Sequence, residues 1–224
     1  MEGAGALRRL PASVLLLALI APTSATAQEA TEPAPQAASA PADTERAIKV
    51  FGKFAVGAGV GLAVHEASHV LGSTAFGAGS GVRAVRFGPI PFFAVTHREV
   101  SPAREFTIAS AGFWAQHLGN EILLARRPHL RAEPAPFLKG VFAFNVLTSV
   151  SYAGAAFARG GPLERDTRSI AAYGRLREPV VGALILGPAL LDTWRYVRPE
   201  SAWAKWASRG MKVAGLVLVA RATP

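Results

Sequence analysis

Nineteen consecutive residues, Gly140 to Ala158, carry no charged side chain, and other stretches come close. Between Lys53 and Arg83 the only ionisable residues are His65, Glu66 and His69. Twenty residues between Glu105 and Arg126 are interrupted by Gln116, His117, Asn120 and Glu121. Thirteen more, Pro179 to Leu191, lead into Asp192, and eight, Val213 to Ala220, lie further on. A helix needs about 20 apolar residues to cross a bilayer. Three stretches meet that length, and the fourth does so with Asp192 and Arg195 at an interface. Only 17% of the 224 residues are charged and half are apolar, against about 25% charged in a soluble domain. The fold class expected is mainly α: a polytopic membrane helix bundle with three core spans plus one or two more.

The bundle is expected to occupy residues 45–224. Ahead of it, Arg8 and Arg9, an apolar run from Leu10 to Ala21 and the small-residue sequence Ala25-Thr26-Ala27 read as a signal peptide over 1–27. The Ala/Pro-rich tract 28–44 has no hydrophobic period and reads as a disordered linker. These features suit an integral protein of a bacterial cytoplasmic (inner) membrane. After the first core span, Gly81–Phe87, a Gly88-Pro-Ile-Pro91 turn and Phe92–Arg98 read as a β-hairpin. Near the end, a helix from Ser201 to Arg221 puts Lys205, Arg209 and Lys212 on one face, with Trp203 and Trp206 at headgroup level. It reads as interfacial or as a short final span. The net charge of +9 is spread over short loops, and the aromatic residues cluster with the spans, which excludes a nucleic-acid partner. The partners expected are the lipid bilayer and a membrane protein or peptide. Nothing in the sequence bears on oligomeric state.

The chain has no cysteine, so any metal must be held by His and carboxylates. His65-Glu66-Ala67-Ser68-His69 places two His four residues apart, on one face of a helix, where they can share a zinc ion. The Glu beside the first His can take a proton from water activated by the metal. The motif ends an apolar helix, Phe54–Val64, and ionisable groups there are costly unless they serve a site inside the bundle. Gly57 and Gly61 form a G-x-x-x-G pair that lets a second helix approach closely. For the third ligand, Ala75 stands where a metzincin would carry a His. Glu121, Asp166 and Asp192 remain, because Asp43 lies in the linker. Antiparallel spans put Glu121 and Asp192 toward the far side and Asp166, after the third span, on the side of His69. Asp166 is the favoured choice, and it also suits a helix N-cap before Thr167.

This order of features resembles the site-2 protease type of intramembrane zinc metalloprotease, over roughly Lys49 to Asp166. It rests on His65-Glu66-x-x-His69 in the first core span and a hairpin containing Arg86-Phe-Gly-Pro89. A second span with small residues at Ser110-Ala-Gly-Phe113 follows, then Asn145 in the third span with an Asp downstream. The resemblance implies that His65, His69 and a distant Asp bind zinc and that Glu66 activates water. It further implies that Asn145 helps to hold a substrate helix cleaved within or near the bilayer. The family's third span carries an Asn, a Pro and Leu-Asp-Gly in close succession. Here Asn145-Val-Leu-Thr has no Pro and Asp166 lies 21 residues on, while Pro188-Ala-Leu-Leu-Asp192 keeps the Pro and Leu-Asp without the Asn. The competing expectation is a non-catalytic membrane protein with a structural or degenerate metal site.

Overall fold

Proline and glycine punctuate the chain where its helices begin and end. In the computed structural model, which describes residues 40–87, 90–161 and 163–222, Pro102 and Pro136 open α2 (Pro102–Arg126) and α3 (Pro136–Ala158). Pro179 lies in the first turn of α5 (Glu178–Val197). A proline there has no N–H to lose and its φ is already helical. α1 (Ala40–Ala75) stops at Gly77, whose φ of +67° is left-handed, with the Ala78 N–H closing onto the Ser73 carbonyl. The short α4 (Asp166–Tyr173) and the final α6 (Ala202–Ala222) complete the helices among the described residues.

The hairpin follows α1, as the alternating β-formers require. β1 (Gly81–Phe87) pairs antiparallel with β2 (Ile90–Thr96), in register from Gly81 opposite Thr96 to Phe87 opposite Ile90. The second strand thus starts at Ile90, inside the segment expected to form the turn. The Arg98 guanidinium donates to the carbonyls of Gly77 and Ala78, tying the exit of the hairpin to the end of α1.

Among the described residues, α1 from Asp43, α3 and α5 are the three helices long and apolar enough to cross a membrane. α2 has the length, but its polar residues leave it short of that composition. α1 leaves the apolar side chains of Phe51, Val56, Val60 and Leu71 exposed. Glycine governs its packing on α3. A Cβ on Gly57 would overlap the Phe137 carbonyl, one on Gly140 would overlap the Phe54 carbonyl, and one on Gly61 would strike the Phe144 ring. The G-x-x-x-G pair therefore sits on the seam where two helix backbones touch. A core of Phe106, Phe113, Ile170, Val181 and Ile185 binds α2, α4 and α5 together.

Two expectations change. α1 begins at Ala40, so residues 40–44, assigned to the linker, are helical. The signal-peptide segment and the rest of the linker lie outside the described residues. α6 does not present its whole basic face outward. It packs along α5 and α2, with Met211 over Gly187 and Trp114 over Gly215. Its Arg209 and Lys212 turn inward to Glu121, and Lys212 also reaches Asp192.

Gly57→Ala should lower the stability of the detergent-solubilised chain by about 1–3 kcal/mol through overpacking. Gly59→Ala, where a Cβ meets nothing within 4 Å, should be neutral or stabilising by up to about 1 kcal/mol. Thermal unfolding of the two variants reads the difference, and equal shifts would mean that the α1–α3 seam is not where the structure puts it.

Candidate metal centre

His65 and His69 lie one turn apart on the buried side of α1, 2% and 6% exposed. Asp166 reaches them from a segment 101 residues away from His65 in the chain. His65 Nε2 lies 3.2 Å from Asp166 Oδ2, His69 Nε2 lies 3.5 Å from the same oxygen, and the two Nε2 atoms are 3.3 Å apart. One ligand atom from each residue falls within 4.8 Å of the others, so the three could hold a metal ion. The spacing is informative. Ligand atoms about 2.0–2.1 Å from a tetrahedral zinc stand about 3.3 Å from one another, and the three measured separations bracket that value.

The hydrogen bonds around the ring nitrogens point the same way. His69 Nδ1 lies 2.8 Å from the Ile108 carbonyl, which only an N–H can satisfy, so Nδ1 carries a proton and Nε2 is the nitrogen that faces Asp166. Two Nε2 atoms and a carboxylate oxygen cannot face one another at 3.2–3.5 Å without a cation between them, whether a proton or a metal ion. Burial by itself raises the Asp166 carboxyl, but the facing His69 and the hydrogen bonds from both His outweigh it and hold the group well below the usual carboxylate range. His65 Nδ1 is buried with no hydrogen-bond partner.

Each ligand is placed by packing. A Cβ on Gly112 would come within 2.5 Å of the His65 ring, so the glycine in Ser110-Ala-Gly-Phe113 makes the room that His65 occupies. Phe113 meets the same ring edge-on, with centroids 5.3 Å apart. Asp166 is the first residue of α4, not its cap, and its charge suits the positive end of that helix. The α4 start is anchored by the neighbouring Arg165, whose Nε and Nη2 fork onto Glu178 at 2.7 and 2.8 Å while Thr167 Oγ1 donates to the same carboxylate. No sequence motif announces this fork, since Arg165 and Glu178 are ordinary charged residues thirteen apart.

The three ligand atoms border a cavity of about 490 Å³, a size typical of ligand sites. Glu66 lines it, half-buried and with no salt bridge or hydrogen bond among the described residues. Phe93, Ala94 and Val95 of β2 form one wall, and Phe144, Leu147 and Tyr152 of α3 another. Side-chain contacts tie the hairpin to its neighbours: the Arg83–Glu164 ion pair at 2.8 Å, and His97 Nε2 at 3.4 Å from Glu105 Oε1.

Asn145 does not join the cluster. Its side-chain amide donates to Asn120 Oδ1 at 2.8 Å and to the Gln116 carbonyl, bridging α3 to α2, and it does not line the cavity. Thr148, Ser151 and Tyr152, one to two turns further along α3, supply the polar groups that do. Glu121 and Asp192 lie in a separate cluster with Arg195, Ser208 and Lys212. Comparison with known protein families, with characterised proteins and with solved structures finds no match to this chain.

Gly112→Ala should push the His65 ring out of line and weaken zinc binding by about 10- to 100-fold, the cost of disturbing a ligand's support. Gly154→Ala on α3, open for 4 Å around its Cβ, serves as the control in the same competitive metal titration. Equal affinities for both variants would sever the link between Gly112 and the centre.

Proposed function

We propose that this chain is a membrane-embedded, zinc-dependent endopeptidase that hydrolyses peptide bonds within or near the bilayer, a divergent relative of the site-2 protease type. One observation carries the reading: a half-buried carboxylate, Glu66, lies on the cavity wall beside three ligand atoms spaced as they would be around one zinc ion. The donor set of two imidazoles and a carboxylate fits zinc in a protein without cysteine. His65, His69 and Asp166 would hold the ion. When bound, zinc supplies Lewis-acid polarisation of the carbonyl and lowers the pKa of water.

The remaining chemistry falls to side chains of the protein. Glu66 accepts a proton from the attacking water as its oxygen bonds to the scissile carbonyl carbon. The C–N bond then breaks, and Glu66 returns the proton to the departing amine. Water must be present at the centre yet scarce around it, which the apolar walls from α1, α3 and the hairpin favour. Among the described residues the hairpin is a two-stranded sheet, which offers edges for a further strand. An unwound substrate segment can therefore add to β2 as a further strand, bringing its backbone to the cavity without requiring a particular side-chain sequence. The substrate is then a membrane protein or peptide that presents an extended stretch near the membrane surface. A bacterial inner membrane is the location that the amino-terminal features favour.

Glu66→Gln should leave one zinc bound per chain and reduce cleavage of a reconstituted membrane substrate by about 10²–10⁴-fold, the range of a lost general base. Zinc analysis and a gel-based cleavage assay on the same preparation check both halves. Undiminished cleavage would remove Glu66 from the mechanism, whereas bound zinc with no cleavage in the parent chain would favour a structural site.

A further inference from the structure

A second polar cluster lies away from the His65 centre, where the end of α5 meets the start of α6 and the last turn of α2. Lys212 and Asp192 are buried there, Arg195 is 5% exposed, and Glu121 accepts hydrogen bonds from Arg195, Arg209 and Lys212. Against these two carboxylates stand four cations, with Lys205 as the fourth, so the cluster keeps a surplus of two positive charges. Internal ion pairing explains most of it but leaves that surplus unbalanced.

The surplus faces a cleft of about 150 Å³ bordered by Arg195, Lys205 and Arg209, with no carboxylate among its described lining residues. Arg195 spends its donors on Glu121, Asp192 and Ser208. Arg209 commits its Nε to Glu121, and Lys205 is exposed with no ion pair among the described residues. Lysine and guanidinium donors converging on a small concave site suit phosphate oxygens.

The position of the cleft narrows the source of that phosphate. Arg195 lies in the last turn of α5, one of the three membrane-crossing candidates. Around it Trp194, Trp203 and Trp206 are all exposed, the first two with rings 5.9 Å apart and the third beneath the Arg209 guanidinium at 5.3 Å. Exposed indoles beside the end of an apolar helix mark headgroup depth, and basic pockets between helix ends at that depth take anionic headgroups. We infer that this cleft binds the phosphate diester of an anionic phospholipid, with Lys205 and Arg209 as its free donors. The inference rests on the helices crossing a bilayer, not on the metal centre.

The test uses the full-length chain in a neutral detergent, titrated with a short-chain phosphatidylglycerol and, separately, with phosphatidylcholine and inorganic phosphate, with binding read by intrinsic tryptophan fluorescence. Phosphatidylglycerol should bind more tightly than phosphatidylcholine, and Lys205→Gln should weaken it about fivefold, the effect of one surface cation near a headgroup. Lys53→Gln, at another exposed lysine, on α1, should leave it unchanged. Because the Lys205 side chain makes no ion pair or hydrogen bond among the described residues, its replacement should not disturb folding, and an unshifted melting temperature checks this. Equal binding of the two lipids, or equal loss in both lysine variants, overturns the proposal. Inorganic phosphate binding with the same dependence on Lys205 overturns the lipid assignment in favour of a free anion. Release of the chain from membranes by alkaline carbonate would instead refute the membrane premise, and with it the inference.

Discussion

Two imidazoles and a carboxylate meeting within 3.5 Å inside an apolar bundle set the terms for the rest of the molecule. Such groups lose their hydration on burial and repel one another unless a cation joins them. The chain invests much of its architecture in that meeting. α1 offers both His on its buried side, Ile108 fixes which nitrogen of His69 carries a proton, and Gly112 withdraws to admit the His65 ring. On the other flank, the Arg165–Glu178 fork fastens α4 to the start of α5, so that Asp166 is held at the correct height. The centre thus depends on contacts among four helices, and a change in any of them is felt at the ligand atoms.

Close helix approach is the second requirement, and glycine meets it. Gly57 and Gly140 let α1 and α3 touch backbone to backbone, which brings Tyr152 of α3 within 6.2 Å, ring to ring, of His65. The hairpin then closes the remaining side of the cavity, pinned by Arg83 and His97 to the segments that flank Asp166 and open α2. Two polar regions result with different characters. Around Asp166, two imidazoles and a carboxylate converge in a set that could hold a metal ion. Around Asp192 and Glu121, three cations, Arg195, Arg209 and Lys212, face two carboxylates.

The scarcity of charge made part of this legible. In an almost uncharged segment, His65, Glu66 and His69 had no bland purpose, and their helical spacing put both His on one face. Counting antiparallel spans was enough to bring Asp166 to that end and to send Glu121 and Asp192 elsewhere, because alternation of direction is a property of short-looped bundles. The hairpin was legible from its β-formers, although its second strand starts earlier than the Gly88–Pro91 turn implied. What a given helix face meets was not legible. Asn145 and Tyr152, seven residues apart, share one face of α3, and only packing decides that the first meets Asn120 while the second, two turns along, meets the cavity. The basic stripe of α6 illustrates the same limit. Its periodicity marks a polar face, but whether that face meets headgroups or buried acids depends on Glu121 and Asp192, which are distant in sequence.

The central claim, that His65, His69 and Asp166 together bind one zinc ion, is open to direct measurement by X-ray absorption at the zinc edge on the full-length chain loaded with one equivalent of metal. The result expected is a shell of nitrogen and oxygen neighbours at about 2.0–2.1 Å, with outer-shell scattering from two imidazoles. Asp166→Ala should remove an oxygen from that shell or abolish binding, while Asp192→Asn should leave the spectrum unchanged. Zinc that fails to bind, or a spectrum without imidazole scattering and indifferent to Asp166, would contradict the account.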